Sequence, residues 1–257
     1  MKLSVVVITL NEEDNIERCL NAVQSIADEI VVIDSNSTDN TVQIAQKLGA
    51  KIVLQEFLGY AEQRNLASEK ASYDWVLMLD ADEVLSDGLQ QGIKNVKENP
   101  KYNIYQLNRL TNYCGKWIKH SGWYPDKKIR LYNRNHGKWV GKYVHEYWQK
   151  NNTDEATGQL TGDLLHYSFN TISQHIKQIQ TFTDLSARAA AENGKTCSLM
   201  KIWLGPKWFF ISSYILKLGI LDGYYGYLVC KFSAYAQMIK YSKTRQYAQM
   251  IKEGKKI

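Results

Sequence analysis

Three acidic or polar clusters in the first hundred residues each follow an apolar run, and their residue types suit a polar, anionic ligand. Thr9-Leu10-Asn11-Glu12 closes LSVVVIT, Asp34-Ser35-Asn36-Ser37 closes EIVVI, and Asp80-Ala81-Asp82-Glu83 closes WVLML. Carboxylates such as Asp34 and Asp80 accept hydrogen bonds from ring N–H and ribose O–H donors. They repel a diphosphate unless a divalent cation stands between, and the Asp80-x-Asp82 spacing offers one or two hard oxygen ligands to Mg2+ or Mn2+ that phosphates also bind. The clusters together point to a nucleoside diphosphate held through a metal. Acidic triplets also occur in ordinary loops, so the weight here comes from position, after an apolar run and with Asp34 at the end of another. No GxGxxG or GxxxxGK[ST] loop occurs, which removes the glycine-built phosphate cradle of dinucleotide-binding and phosphate-loop proteins.

Stepping from these residues to the elements that hold them, the runs 3–9, 29–34, 51–55 and 74–80 are continuously apolar, as strands buried on both faces are. Between the first two, Ile16, Leu20, Val23 and Ile26 share a helical face. Ser37 or Thr38 is the expected N-cap of a second helix that carries Val42, Ile44, Ala45 and Leu48 and stops at Gly49. A third helix is expected near 60–70. The result is a mostly parallel sheet flanked by helices, in which ligands collect at the carboxyl ends of the strands. Beyond Asp80 the pattern predicts a helix over 86–97, a strand over 103–113, and short strands and loops through the aromatic, basic stretch 113–148. A return strand over 159–169, a helix over 171–194 and a helical segment over 200–246 follow. Three regions are expected: 1–99, 100–170, and 171–257 as a helical, basic and aromatic extension.

The chain has 257 residues, 44% hydrophobic and 23% charged, with mean hydropathy −0.40 and net charge +6, values of a water-soluble globular chain. The charge is segregated: residues 1–99 carry 8 Lys/Arg against 17 Asp/Glu, and residues 195–257 carry 11 against 2. A basic rear fits either nucleic acid or an anionic membrane. The acidic front and the lack of a helix-turn-helix or RNA-binding motif weigh against nucleic acid. In the segment 200–246, Lys207, Lys217 and Asp222 leave charge-free runs of nine (208–216) and eight (223–230) residues, short of the roughly 20 needed to span a bilayer. Two readings stand for it. Trp203, Trp208, Phe209 and Phe210 insert at an interface with Lys201, Lys207 and Lys217 at phosphates, or the aromatics pack on the core. The opening residues lack a leader pattern, so a cytosolic placement is expected. Cys19, Cys114, Cys197 and Cys230 form no CxxC pair, which argues against a zinc site and a disulfide framework.

The segments VVVITLNEEDNIERCL, VVIDSNSTDNT, GYAEQRNLA and LMLDADE together resemble the family-two glycosyltransferases of the inverting GT-A fold. YPDKKIRLYNRNHGKWVGKYVHE and GPKWFFISSYILKLGILDGYYGY are similar to one branch, the bacterial β-1,4-glucosyltransferases that add glucose to inner-core heptose of lipopolysaccharide or lipooligosaccharide. The resemblance implies a Rossmann-like α/β GT-A fold with a carboxy-terminal helical, membrane-associating extension, a UDP-sugar donor and a divalent metal (Mg2+ or Mn2+). It also implies that 1–99 is the nucleotide-sugar-binding half and 100–170 the acceptor-binding half of the GT-A domain, with a lipid-linked saccharide acceptor and a cytoplasmic, peripheral placement on the inner face of the inner membrane. Thr9, Asn11 and Glu12 would line the nucleotide pocket, Asp34 would accept from uracil, and Arg64 would contact base or diphosphate. Asp80 would hold ribose or metal, and Asp82 the metal. Transfer to a polyprenyl-linked or capsule intermediate, and nucleotide-sugar binding without catalysis, are the alternative functions.

Inverting transfer needs a base to take the proton of the attacking hydroxyl. Asp126 and Glu146 are the candidates, and Glu146 is preferred because it matches the family's HE pair; a structural acid paired with Arg130 or Lys142 is the other reading of Glu146. His145 orients Glu146, ligates the metal or is a satisfied core histidine. Trp123 and Tyr124 stack on a sugar or close the core beneath a loop. Lys127, Lys128, Arg130 and Arg134 bind anionic groups of the acceptor or form a solvated basic loop.

Overall fold

A computed structural model describes residues 1–141 and 146–256 and divides into two units. The first unit comprises residues 1–110 and 126–167, the second 111–125 and the chain from 168. In chain order the elements are β1 (Leu3–Thr9), α1 (Ile16–Asn21), β2 (Glu29–Asp34), α2 (Thr41–Lys47), β3 (Lys51–Leu54), α3 (Tyr60–Lys70), β4 (Trp75–Asp80), β5 (Glu83–Leu85) and α4 (Asp87–Glu98). There follow β6 (Ile104–Tyr113), β7 (Lys116–Trp117), β8 (Asp126–Asn133), β9 (Gly137–Val140), β10 (Tyr147–Lys150), β11 (Gly158–Phe169), α5 (Ile172–Glu192), α6 (Leu199–Ile211) and α7 (Gly223–Lys252).

The sheet of the first unit runs β3-β2-β1-β4-β8-β6-β11-β5. It is parallel over β1 to β4 and antiparallel where β8 meets β4, where β6 meets β8 and where β5 meets β11. Alternate residues of the parallel strands feed two cores, as the pleat requires. Leu3, Val5, Val7, Val32, Leu77 and Leu79 face Ile16, Leu20, Ala45, Leu89 and Ile93 of α1, α2 and α4. Val6, Val31, Ile33, Val76 and Met78 face α3 through Ala61 and Ala67, with Tyr132, Trp139 and Trp148 beside them. The chain leaves β1 for β2 and β3 on one side and returns to β4 on the other, so the strand order reverses between β1 and β4. That is where a twisted open sheet forms its crevice, and Thr9 and Asp80 stand at its lip.

Two local expectations differ from the structure. The first helix is short, Ile16–Asn21, and continues as turns that still bury Val23 and Ile26. The second starts after Asn40, whose side chain makes no capping bond, and not after Ser37 or Thr38; Asp39 Oδ1 accepts from the Thr41 N–H. Ser37 is engaged by Asp34, and Thr38 donates from both its backbone N–H and its Oγ1 to Asn11 Oδ1. Gly49 does stop α2, at φ +80°, a left-handed position with nothing near its missing side chain.

In the second unit β7 pairs with Asn112 and Tyr113, and α5 opens with a capping box between Thr171 and Gln174. Tyr113, Ile118, Phe169 and Val229 form its core, with Trp123 packed against them. His175 is buried beside Tyr113, its Nδ1 3.0 Å from the phenol oxygen. Burial lowers its pKa to about 4, so it is neutral at pH 7. α5 and α7 are joined by Lys243 Nζ to Asp184 at 2.9 Å and by Tyr247 Oη to the same carboxylate. All four cysteines are free thiols. No helix among the described residues is long and apolar enough to cross a membrane.

Candidate active site

The ends of β1 and β4 bring Thr9, Glu12, Asp80 and Asp82 into one region of the first unit, and α3 delivers Arg64 to it. Arg64 Nη2 donates to both oxygens of Asp80, at 2.7 and 3.0 Å. Arg130, on β8, donates through Nη2 to Asp80 Oδ2 at 2.8 Å and to Glu83 Oε1 at 2.7 Å. Glu83 is fully buried and also accepts from the backbone N–H of Asp80 at 3.0 Å. Burial alone would raise the Asp80 pKa, but the guanidiniums of Arg64, Arg130 and Arg109 outweigh it and hold this carboxyl well below the usual range. The same acids push the Arg130 guanidinium further toward its charged form.

Asp82 has a different partner. Its Oδ2 lies 3.1 Å from His166 Nε2, because β5 pairs with β11 in a register that sets His166 opposite Glu83. Burial raises the pKa of Glu12, with the charges of Asp82, Asp39 and Asp80 adding to it and a hydrogen bond from Asn15 opposing it. A cation placed at this acidic edge would relieve that repulsion. Asp82 and His166 can supply an oxygen and a nitrogen ligand, and His166 Nδ1 is buried without a hydrogen-bond partner among the described residues. No group of three or more His, Cys, Asp or Glu among those residues is spaced to hold a metal by itself. Asp82 offers one hard oxygen, which fits an open site completed by ligand oxygens and water as Mg2+ keeps, while the His166 imidazole suits a softer divalent ion. Other buried polar atoms of this unit also lack partners among the described residues: Thr9 Oγ1, Arg64 Nε and Nη1, and Arg130 Nε. Buried donors in such number call for a polar ligand or water.

The remaining predicted residues fall as follows. Asp34 is fully buried and accepts from the N–H and Oγ of Ser37, which leaves about half of a carboxylate's roughly four lone-pair positions. Asn11 sits at φ +54° and accepts from Thr38, while its N–H donates to Ser37 Oγ. Glu146 Oε1 is 3.6 Å from Arg64 Nη2 with 19% of its side chain exposed, an ion pair too long for a hydrogen bond. Asp126 is held by Arg109 Nη2 at 2.8 Å and Lys128 Nζ at 3.1 Å. Arg130, expected to face an anionic acceptor, is 3% exposed and turned inward to Asp80 and Glu83. Trp123 and Tyr124 belong to the second unit, where Trp123 packs edge-on to Tyr113 and His175. His145 and Lys142 lie outside the described residues. Sequence reasoning missed His166 and the role of Glu83. Only the alternation of QLTGDLLHYSF hinted at a strand, and nothing local announced its register.

Comparison with known proteins bears on the family. A family model described as Glycosyl transferase family 2 matches residues 4–159. An uncharacterised glycosyltransferase of Rickettsia typhi is 31% identical, with 95% of this chain and 87% of that protein covered. The Rhizobium meliloti protein named lipopolysaccharide core biosynthesis glycosyltransferase LpsC is 27% identical, with 83% and 81% covered. Among solved structures, Staphylococcus aureus TarS 1–349 covers 99% of this chain and 92% of its own at 16% identity and TM-score 0.44.

Proposed function

This chain belongs to glycosyltransferase family 2, with a mixed α/β fold of the GT-A type, and from that premise we propose that it transfers a hexose, glucose by expectation, from a UDP-sugar to a lipid-linked saccharide. The observation that carries the reading is the convergence of Glu12, Asp80, Asp82, Arg64 and His166 at the reversal point of the sheet. The likeness to LpsC, whose name places it in lipopolysaccharide core biosynthesis, supports a core saccharide as the acceptor, with inner-core heptose the expectation. The inner face of the cytoplasmic membrane is where such an acceptor would be met.

In this reading Asp34 and Thr9 bind the nucleoside, with Asp34 using the lone pairs that Ser37 leaves. Asp80, fixed by Arg64 and Arg130, turns its exposed edge to the ribose. The unpartnered Nε and Nη1 of Arg64 add positive charge for the diphosphate. Asp82 and His166 would hold the divalent cation, which stabilises the charge developing on the leaving diphosphate. Glu146 takes the proton of the acceptor hydroxyl as its oxygen attacks the anomeric carbon and the bond to UDP breaks, with inversion. Glu146 suits this part because its ion pair with Arg64 is long, at 3.6 Å, whereas Asp126 is tied up by Arg109 and Lys128. The test is release of UDP from UDP-glucose on addition of a heptose-bearing acceptor, lost with EDTA and in Asp82→Ala. Full activity in Asp82→Ala would remove the metal role, and no transfer to any saccharide acceptor would remove the function.

A further inference from the structure

α6 is apolar apart from Lys201 and Lys207, and none of its residues is buried. One side faces α7: Gly205 permits close approach, since a Cβ there would stand 3.2 Å from the Tyr241 ring. Phe210 stacks on Tyr214 and meets Tyr227 edge-on, so Phe209 and Phe210, expected at an interface, are half-buried instead. The opposite side carries Met200, Trp203, Leu204, Trp208, Ile211 and, one turn on, Ile215. Their spacing puts them on one helical stripe, and they are 44 to 70% exposed. The stripe continues into the turns after α6, where Leu216, Leu218, Ile220 and Leu221 are 50 to 63% exposed. A helix packed at a protein surface turns its polar stripe outward; this one turns an apolar stripe outward, the mark of an interaction surface.

The charge around the stripe selects its partner. From residue 193 to residue 252 the chain holds one acid, Asp222. Asp222 is 5% exposed, and its carboxylate accepts from the backbone N–H groups of Lys119 and His120 and lies 3.0 Å from His120 Nδ1. No acid of this segment therefore offsets its lysines. Lys207 lies over the Trp203 ring at 5.8 Å, and Lys217 is exposed between Leu216 and Leu218. A second copy docking on the same face would set lysines against lysines across a two-fold axis. An anionic bilayer offers apolar depth for the stripe and phosphates for its lysines. At 13 residues α6 is about 20 Å long, shorter than the roughly 30 Å hydrocarbon core, so it lies in the interface plane and does not cross. We propose that the outward stripe of α6 and the turns after it form a docking surface for an anionic phospholipid bilayer, with Trp203 and Trp208 inserted and Lys207 and Lys217 at the phosphates.

The proposal rests on the second unit alone, so its failure and the failure of the transferase reading are separable. The full chain is sedimented with vesicles of phosphatidylcholine alone and of equal parts phosphatidylcholine and phosphatidylglycerol, while tryptophan emission is followed with brominated lipids. Binding to the anionic vesicles with quenching is expected. Trp203→Ser with Trp208→Ser should weaken partition by about tenfold per tryptophan, and Lys207→Gln with Lys217→Gln by about fivefold per lysine. UDP-sugar binding should stay unchanged in both variants, which also reports that they fold. Three results would overturn the proposal: no binding by the unmodified chain, equal binding to both vesicle types, or a dimer in solution that the tryptophan variant abolishes.

Discussion

Replacing Arg130 by Met keeps an unbranched stem and removes the guanidinium that Asp80 and Glu83 share at 2.8 and 2.7 Å. Asp80 retains Arg64 and is partly exposed, so its loss is modest. Glu83 is fully buried and keeps only Arg109 at 3.4 Å and the N–H of Asp80. Stranding one member of a buried ion pair costs about 3–5 kcal/mol, a large share of the roughly 5–15 kcal/mol that holds a domain folded. Adding Glu83→Gln removes the stranded charge while leaving an oxygen for the Asp80 N–H, and should recover about 2 kcal/mol. Urea unfolding at pH 7, followed by circular dichroism for both variants and the parent, measures these differences. The pH profile is a second readout. The folded-state pKa of Asp80 is depressed, so its contribution is complete above its unfolded pKa of about 4 and falls away as pH drops toward the folded value. In Arg130→Met that acid-side loss should shrink. A cost below about 1 kcal/mol, or a double variant weaker than the single one, would refute the view that the Arg130–Glu83 pair clamps Asp80.

Glu146→Gln should leave UDP-sugar affinity nearly intact and reduce turnover by about 100-fold or more, as loss of a general base does; calorimetry with UDP beside a UDP-release assay separates the two, and unchanged turnover would reassign the base. His175, held near pKa 4 in the folded chain, takes up a proton on unfolding between about pH 6.5 and 4. Stability should therefore fall as pH drops through that window, by up to about 3 kcal/mol. His175→Phe should flatten this part of the profile in thermal melts, and an unaltered slope would show that another group is responsible.

Much of the parallel half of the first unit is legible because its strands are continuous apolar runs with acids or turn residues at their ends. Leu3–Thr9, Glu29–Asp34 and Trp75–Asp80 match those runs almost residue for residue. The two cores alternate along them with the period of the pleat. The site is harder to read, because its decisive contacts are long-range. Arg64 and Asp80 are 16 residues apart, Arg130 is 50 from Asp80, and His166 meets Asp82 only through pairing of β5 with β11. A three-residue strand such as Glu83–Leu85 carries no periodic signal. The N-cap of α2 differs from the expectation because Ser37 and Thr38, which have capping side chains, are engaged elsewhere: Asp34, three residues away, accepts from the Ser37 hydroxyl, and Asn11, 27 residues away, accepts from that of Thr38.

The pairing of β5 with β11 also bears on how such chains exchange parts. The match to the family model ends at residue 159, at the start of β11, whereas the first unit runs on to residue 167. A chimera joined at the end of that match would supply Leu164, Leu165 and His166 from the donor of the downstream half, and with them the strand beside Leu85, Val84 and Glu83. Inheritance of the Asp82 partner would thus follow the part of the chain outside the family model. Seams placed after Tyr167, with the 111–125 excursion carried along with the downstream half, keep each unit's residues from one parent.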